Sequence, residues 1–267
     1  MMLFDDKYFE ANKDAWNKRT AIHKDSSFYD LDSFRNGKSS LNAIELEGLG
    51  DVRGKKILHL QCHFGMDSMS WEREGAIVTG VDLSDAAIAL ARDIAAELKL
   101  QTKFICCNIY DLPEKLDDTF DFVFTSYGTI GWLPDLEKWA AIIARYLKPG
   151  GIFYIADFHP VLWMMDYDFT RIQYNYFNTG VIAEETSGTY TDREAPIRSK
   201  EYCWNHPFSE IFTALIGHGL AIREFKEFPY SPYNCFNNLE QGTDGMWRIK
   251  DMEEKLPMMY AIKAVKQ

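Results

Sequence analysis

Between Lys55 and Ala156 the chain repeats one pattern: a short apolar run that ends in polar residues or glycine, usually followed by a segment with helical periodicity. The apolar runs occupy residues 55–60, 77–81, 103–107, 120–125 and 152–156. Strands that alternate with helices assemble into a parallel sheet, because each helix crosses back over the sheet before the next strand starts. The pattern therefore predicts an α/β domain.

The segments around these strands predict the rest of the organisation. Helices are predicted over 64–74, 135–147 and 85–100, the last with Ser84 as N-cap. A helix over 41–49, capped by Ser39-Ser40 and ended by Gly50, follows a polar, helical N-terminal stretch. After Asp157 the alternation is typical of β-structure, and then come a helical segment and two more strands, at 207–217, 220–228 and 258–265.

These elements predict a seven-stranded sheet interrupted by an insertion. We expect an N-terminal helical region over 1–50, a sheet domain over 51–160 and 206–267, and a β-rich insertion or cap over 161–205.

Charge and cysteine usage narrow the function classes. The 29 basic and 40 acidic residues give a net charge of −11, which disfavours nucleic acid as the main partner. No apolar stretch is long enough for a transmembrane helix, and the acidic start lacks the apolar core of a signal peptide. The five cysteines contain no Cys-x-x-Cys pair, so we expect reduced thiols, a cytoplasmic location and no metal site. Oligomeric state is not predicted.

Ligands of open α/β sheets bind beyond the carboxyl ends of the strands, so the residues that follow each strand are the candidate site. Asp82 ends the second strand, where a carboxylate can accept both hydroxyls of an adenosine ribose. The alternative is that Asp82 only starts the next helix. Asn108 ends the third strand, where its amide could meet an adenine edge; the alternative is a turn-forming Asn.

The order and spacing of these features resemble the class I S-adenosylmethionine-dependent methyltransferases. The resemblance covers about residues 40–160 and rests on five segments, together with a last strand at 256–266 that looks like the family's antiparallel strand. The five segments are Ile57–Gly65, Val81–Ser84, Asn108–Pro113, Phe120–Val123 and Leu147–Gly151.

The resemblance implies a Rossmann-like, mostly parallel sheet with helices on both faces and S-adenosylmethionine as cofactor. The first motif departs from the family's acidic-x-Gly-x-Gly-x-Gly pattern, because His59, Gln61 and His63 replace the acid and two glycines, and only Gly65 remains. The cofactor-binding positions that the resemblance implies are Trp16, Gln61, Cys62, His63, Gly65, Asp82, Leu83, Asn108, Ile109, Ser126 and Tyr127.

The segment Trp16–His23 resembles the family's N-terminal lid, which would exclude water from the site. A surface helix that merely packs Trp16 is the equal alternative.

Methyl transfer from a sulfonium requires alignment, and a general base only when the nucleophile has a proton to lose. The candidates are His159, Tyr127 and His206, although a structural role is the main alternative for each histidine. The chain is rich in aromatic residues, above all from Gly151 onward. Six of them could line an acceptor site or, alternatively, form the core of a cap: Trp132, Trp163, Tyr167, Tyr174, Tyr176 and Phe177.

We therefore expect a methyltransferase that acts on a small molecule. Two other classes remain open. A nicotinamide-dependent oxidoreductase would share the acid at the second strand, but no Gly-x-Gly-x-x-Gly follows the first strand. A non-catalytic binding protein could retain the same fold.

Overall fold

The computed structural model describes residues 6–267, whose strands form one large sheet and two hairpins. The sheet contains β1 (Lys56–Leu60), β2 (Ile77–Asp82), β3 (Lys103–Cys106), β4 (Phe120–Ser126), β5 (Leu147–Phe158), β8 (Leu220–Phe228) and β11 (Met259–Lys266). The hairpins pair β6 (Ile182–Ser187) with β7 (Arg198–Cys203), and β9 (Leu239–Gln241) with β10 (Trp247–Ile249).

The sheet order is β3-β2-β1-β4-β5-β11-β8. The pairs among β1 to β5 are parallel, and β11 runs antiparallel to both of its neighbours, β5 and β8. The predicted seven-stranded sheet with one antiparallel strand is thus confirmed. The carboxyl ends of β1 to β5 meet at one edge, which is where the ligand site of such a sheet forms.

Helices cover both faces of the sheet. They are α1 (Asp6–His23), α2 (Leu31–Arg35), α3 (Ala43–Leu49), α4 (Met66–Arg73), α5 (Asp85–Glu97), α6 (Leu136–Tyr146) and α7 (Phe208–Gly217). Within β1, Leu58 packs into one buried cluster with Trp139, while Ile57 packs into another with Trp71. Alternate side chains of the strand therefore reach two different cores, as expected for a strand buried on both faces.

Several predicted boundaries differ from the observed ones. The helix expected over 41–49 begins later, because Asn42 and not Ser39-Ser40 is its N-cap: Glu45 and Asn42 form a reciprocal capping box. The fifth strand is longer than predicted and includes the residues before Gly151. The hairpin of β9 and β10 was not predicted. The expected N-terminal region also includes residues 1–5, which lie outside the described part of the chain.

No helix within residues 6–267 is long and apolar enough to span a bilayer.

Candidate functional site

A cavity of about 1290 Å³ lies at the carboxyl edge of the sheet. Its walls come from the strand ends, from α1, from β6 and from the segment that precedes β9. This volume exceeds that of a typical site for one drug-sized ligand. The cavity can therefore hold a nucleoside-sized ligand and a second molecule together.

The turn after β1 keeps three left-handed backbone conformations at alternate positions. Gln61, His63 and Gly65 have φ values of 56°, 51° and 76°. These are the positions of the three glycines in the family's first motif, so the turn retains a glycine-like path although two glycines are absent. All three residues line the cavity.

Side-chain anchors hold the two non-glycine positions in place. Gln61 Nε2 donates to the carbonyl of Thr129 at 2.8 Å. His63 Nδ1 accepts from the amide of Phe64 at 2.7 Å, and its Nε2 lies 3.1 Å from Nδ1 of His23. Burial lowers the pKa of His63 well below its usual value, so the ring is neutral. These contacts offset the cost of the left-handed backbone.

Gly65 is required for a second reason, which is packing. A Cβ atom at Gly65 would lie 2.4 Å from the ring of Phe104. Cys62, on the same turn, is buried, and burial raises the pKa of its thiol well above the usual value. The turn therefore presents a protonated thiol to the cavity, which Cys62 also lines.

Asp82 ties the turn to the next strand. Its Oδ2 accepts from the amide of His63 at 2.7 Å, and its Oδ1 accepts from the amide of Ser84 at 2.8 Å. Burial raises the pKa of Asp82 above its usual value, while these amide donors oppose the shift. Asp82 borders the cavity, where the ribose was expected to bind. The same residue also makes the contact that starts the next helix, so the two roles considered for it are compatible.

The remaining predicted cofactor positions also reach the cavity. Asn108 Oδ1 accepts from the amide of Tyr110 at 3.1 Å, so the turn-forming role considered for Asn108 is present. Leu83 and Ile109 add apolar side chains to the cavity wall. Every cofactor-binding position predicted from the sequence borders the cavity: Trp16, Gln61, Cys62, His63, Gly65, Asp82, Leu83, Asn108, Ile109, Ser126 and Tyr127.

Helix α1 forms the wall that faces the turn. The Trp16 ring contacts the rings of His63 and Trp132 edge to face, with centroid distances of 5.2 and 5.5 Å. Arg19 lies over the Trp16 ring at 5.0 Å and forms a buried ion pair with Glu201 of β7 at 2.6 Å. Trp16 is therefore fixed between the first turn and the hairpin of β6 and β7.

Tyr127 is the one predicted catalytic residue that reaches the cavity. It follows β4 with a φ of 55°, and its hydroxyl donates to Oε2 of Glu45 at 2.5 Å. Glu45 is fully buried, and burial together with nearby Asp67 raises the pKa of Glu45 to about 7. A phenol hydrogen-bonded to a carboxylate of near-neutral pKa can hold or pass a proton at the cavity wall.

The structure does not bring His159 or His206 to the cavity wall. The buried ring of His159 lies with Nε2 2.8 Å from Glu227, and its Nδ1 accepts from the amide of Val161. The Nε2 of His206 donates to the carbonyl of Leu133 at 2.8 Å. Their contacts are those of structural histidines, which is the alternative considered for both.

The aromatic residues proposed for the acceptor site divide into two groups. Trp132, Trp163, Tyr167 and Tyr174 line the cavity. Tyr176 and Phe177 are not part of its lining; the hydroxyl of Tyr176 accepts from the amide of Phe208, and Phe177 is exposed.

Sequence reasoning missed several residues of the cavity wall. Tyr29 and Tyr190 share a hydrogen bond between their hydroxyls at 2.5 Å, and Tyr233 accepts from Asn42 Nδ2 at 2.8 Å. Asp67 lies in the first turn of α4. No strand end or motif marked these positions. The Asn42-x-x-Glu45 spacing of a capping box is the one signal that could have marked part of this wall, but the cap was predicted at Ser39-Ser40.

Comparisons with known proteins agree with this architecture. Residues 58–155 match a family profile described as "Methyltransferase domain". The ubiquinone biosynthesis O-methyltransferase of Alkalilimnicola ehrlichii is 33% identical over 103 residues, which is 39% of this chain and 41% of that protein. The alignment thus spans less than half of that relative's length.

Solved structures extend the likeness beyond the matched domain. A putative S-adenosylmethionine-dependent methyltransferase from Listeria monocytogenes superposes with a TM-score of 0.57 at 20% identity, over 84% of this chain and 97% of that one. A geranyl diphosphate C-methyltransferase from Streptomyces coelicolor superposes with a TM-score of 0.54 at 17% identity, over 83% and 76%. At these identities the likeness concerns the fold.

The strand order, the turn after β1 and the matched domain agree with one another. Residues 58–155 of the chain match the methyltransferase-domain profile, and the chain has the fold of the S-adenosylmethionine-dependent methyltransferases.

Proposed function

We propose that the chain binds S-adenosylmethionine in this cavity and transfers its methyl group to a small-molecule acceptor. The main support is the turn at Gln61, His63 and Gly65, which keeps its left-handed path and is joined to the Asp82 carboxylate at the cavity wall. The name of the Alkalilimnicola relative and the S-adenosylhomocysteine in the Streptomyces structure agree with this proposal.

The residues present suit this cofactor. The Asp82 carboxylate would accept the ribose hydroxyls, and Asn108 with Leu83 would face the adenine. Trp16 and Tyr127 would flank the methionyl end, since each borders the cavity beside the turn. The volume of about 1290 Å³ leaves room for an acceptor as well.

When bound, the cofactor supplies a methyl group already activated by the sulfonium. The chain's own residues then have two tasks, which are alignment and exclusion of water. The contacts of Trp16 with Trp132 and of Arg19 with Glu201 close one wall of the cavity. Where the acceptor has a proton to lose, Tyr127 backed by Glu45 is the group that would hold it.

We also propose roles for the outer parts of the chain. The N-terminal region up to residue 50 acts as a lid, and the insertion over 161–205 contributes to the acceptor site, because both regions line the cavity. All five cysteines are free thiols, which supports a cytoplasmic location.

Isothermal titration calorimetry with S-adenosylhomocysteine and with NAD⁺ tests the binding step. We expect S-adenosylhomocysteine to bind and NAD⁺ to bind more weakly, because the turn lacks the bare glycine backbone that a pyrophosphate needs. Tighter binding of NAD⁺ would favour the oxidoreductase alternative.

Incubation with labelled S-adenosylmethionine and a metabolite extract, followed by mass spectrometry, tests transfer. A labelled product is expected. Cofactor binding without transfer to any metabolite would instead identify a binding protein that retains the fold.

A further inference from the structure

Two carboxylates at one corner of the cavity have no positively charged partner among the described residues. Asp67 is partly buried and lines the cavity, and the fully buried Glu45 lies behind Tyr127. Glu45 accepts from the amide of Asn42 at 2.8 Å and from the Tyr127 hydroxyl. Asp67 accepts from the hydroxyl of Ser40 at 2.6 Å and from that of Ser126 at 3.2 Å. No ion pair within residues 6–267 includes either carboxylate.

This arrangement is costly in the absence of a counter-ion. Buried charges require a partner of opposite charge or lose their charge by protonation. Desolvation raises the pKa of both groups, and the charge of Asp67 raises that of Glu45 further. A ligand with a positive charge at this corner would remove both penalties.

Two unpaired side-chain atoms on the same cavity wall point independently to a ligand that forms hydrogen bonds. The ring of His59 is 2% exposed and lines the cavity. In the tautomer whose Nδ1 donates to Ser68 Oγ at 2.8 Å, Nε2 is an acceptor that has no partner in the described chain. Gln61 Oε1 is likewise buried and unpaired. Buried polar atoms of this kind are rare unless ordered water or a ligand satisfies them, and an ammonium group has the N–H donors to do so.

Aromatic rings complete the corner. Tyr127 and Tyr233 pack edge to face with a centroid distance of 4.9 Å, and Phe28 stacks on Tyr233 at 5.5 Å. Aromatic faces attract cations. Carboxylates, unpaired acceptors and aromatic rings are together the surroundings that suit a positively charged group carrying several N–H donors.

We propose that Asp67, His59 and Gln61 form a subsite for an alkylammonium group at this corner of the cavity, with the buried Glu45 behind them through its hydrogen bond with Tyr127. The ammonium group belongs either to the methionyl part of the cofactor or to an amine acceptor. This inference rests on the proposed function. In the first case Asp67, from the start of α4, takes the place of the acid that the first motif lacks at His59.

The first arm of the test addresses the cofactor. Calorimetry compares S-adenosylhomocysteine with its deaminated analogue, in which hydrogen replaces the amino group, on the wild type and on Asp67→Asn. If the methionyl ammonium occupies the subsite, Asp67→Asn weakens the binding of S-adenosylhomocysteine by about tenfold or more, because a hydrogen bond to a charged group is lost. The affinity for the deaminated analogue stays nearly unchanged.

The second arm addresses the acceptor. Benzylamine and benzyl alcohol are titrated into protein saturated with S-adenosylhomocysteine, and also into protein without it. If an amine acceptor occupies the subsite, benzylamine binds about tenfold tighter than the alcohol, and Asp67→Asn removes that preference.

The matched control is Glu74→Gln. Glu74 is exposed at the end of α4, the helix that carries Asp67, and does not line the cavity, so this variant removes one negative charge without touching the corner. Equal effects of the two variants would mean that only the overall charge matters, and would overturn the subsite. Circular dichroism checks that Asp67→Asn folds. If it does not, the affinities of the wild type for the charged and the neutral ligand of each pair still test the subsite.

The ligand pairs separate failure of the subsite from failure of the proposed function. Suppose that 5′-methylthioadenosine and S-adenosylhomocysteine bind, but that S-adenosylhomocysteine binds no tighter than its deaminated analogue and benzylamine no tighter than benzyl alcohol. The subsite is then wrong, and the cofactor proposal stands. If neither nucleoside binds, the cofactor proposal fails, and benzylamine on the unliganded protein still decides the subsite.

Discussion

At the turn after β1, two residues hold backbone conformations that glycine adopts at lower cost. A left-handed conformation costs about 1–2 kcal/mol for a residue with a Cβ atom. Gln61 and His63 offset part of it through hydrogen bonds to Thr129, Phe64 and Asp82. The sequence predicted which residues meet at the strand ends, but it could not predict this turn's shape, because the anchors come from distant parts of the chain.

Gly65 is sensitive to substitution for both conformational and packing reasons. Gly65→Ala adds a left-handed penalty and a clash with Phe104, and we expect a loss of about 2–5 kcal/mol of unfolding free energy. Gly219→Ala is the control, because Gly219 has a φ of 74° and open space around it. Urea unfolding should show the smaller loss for Gly219→Ala. Equal losses would mean that the clash is relieved without cost.

Asp82 is expected to bind the cofactor in addition to holding the turn. Asp82→Ala should weaken S-adenosylhomocysteine binding by about 1–3 kcal/mol, from the lost charge-assisted hydrogen bonds. Calorimetry measures this affinity, and Asp118→Ala is the control variant, since it removes a carboxylate that is paired with Lys56. An affinity that stays the same in Asp82→Ala would exclude the ribose role.

At the scale of elements, long periodic segments were predicted and short ones were not. The strands of the sheet were identified because buried strands are continuous apolar runs. Strands β9 and β10 have three residues each, too few for alternation to be seen. The N-cap of α3 was displaced because the reciprocal bonds of Asn42 and Glu45, and not the serines before them, satisfy its first amides.

The burial of Glu45 in α3 makes stability depend on pH. Its pKa is raised from 4.5 to about 7 in the folded chain, so the folded state binds more protons than the unfolded state between these values. Stability from this group is therefore complete at low pH and falls as pH rises, by about 3 kcal/mol in total. Glu45→Gln should lack this part of the decline.

Urea unfolding of the wild type and Glu45→Gln at pH 5 and pH 8 measures the difference. The variant should gain stability relative to the wild type at the higher pH. Parallel pH profiles would show that Glu45 keeps an ordinary pKa.

At the scale of the whole molecule, α1 joins the sheet domain to the hairpin of β6 and β7. Asn17 Oδ1 accepts from the Ser84 hydroxyl at 2.6 Å, while Asn12 exchanges two hydrogen bonds with the backbone of Tyr202. Arg19 adds the buried ion pair with Glu201. These long-range contacts were beyond sequence reasoning, which identified Trp16 and left the placement of its helix open.

Breaking the ion pair should therefore loosen the cavity wall. Arg19→Ala leaves Glu201 buried without its partner, and we expect a loss of about 3–5 kcal/mol of stability together with weaker S-adenosylhomocysteine binding. Lys226→Ala is the control, since its ion pair with Glu224 on β8 is exposed and worth about 0–1 kcal/mol. The double variant Arg19→Met with Glu201→Gln should recover most of the lost stability, because it leaves no unpaired buried charge. If it recovers none, the lost stability came from packing and not from the ion pair.

The two hairpins stand apart from the main-chain pairing of the sheet, yet β6 and the segment before β9 line the cavity. Their sequences can change without shifting the register of any strand that positions the Asp82 end of the site. Redesign of the acceptor preference is therefore best directed at β6 and the segment before β9, leaving Glu201 and Tyr202 of β7 unchanged because they hold α1. A library of substitutions there would alter one half of the reaction and spare the other.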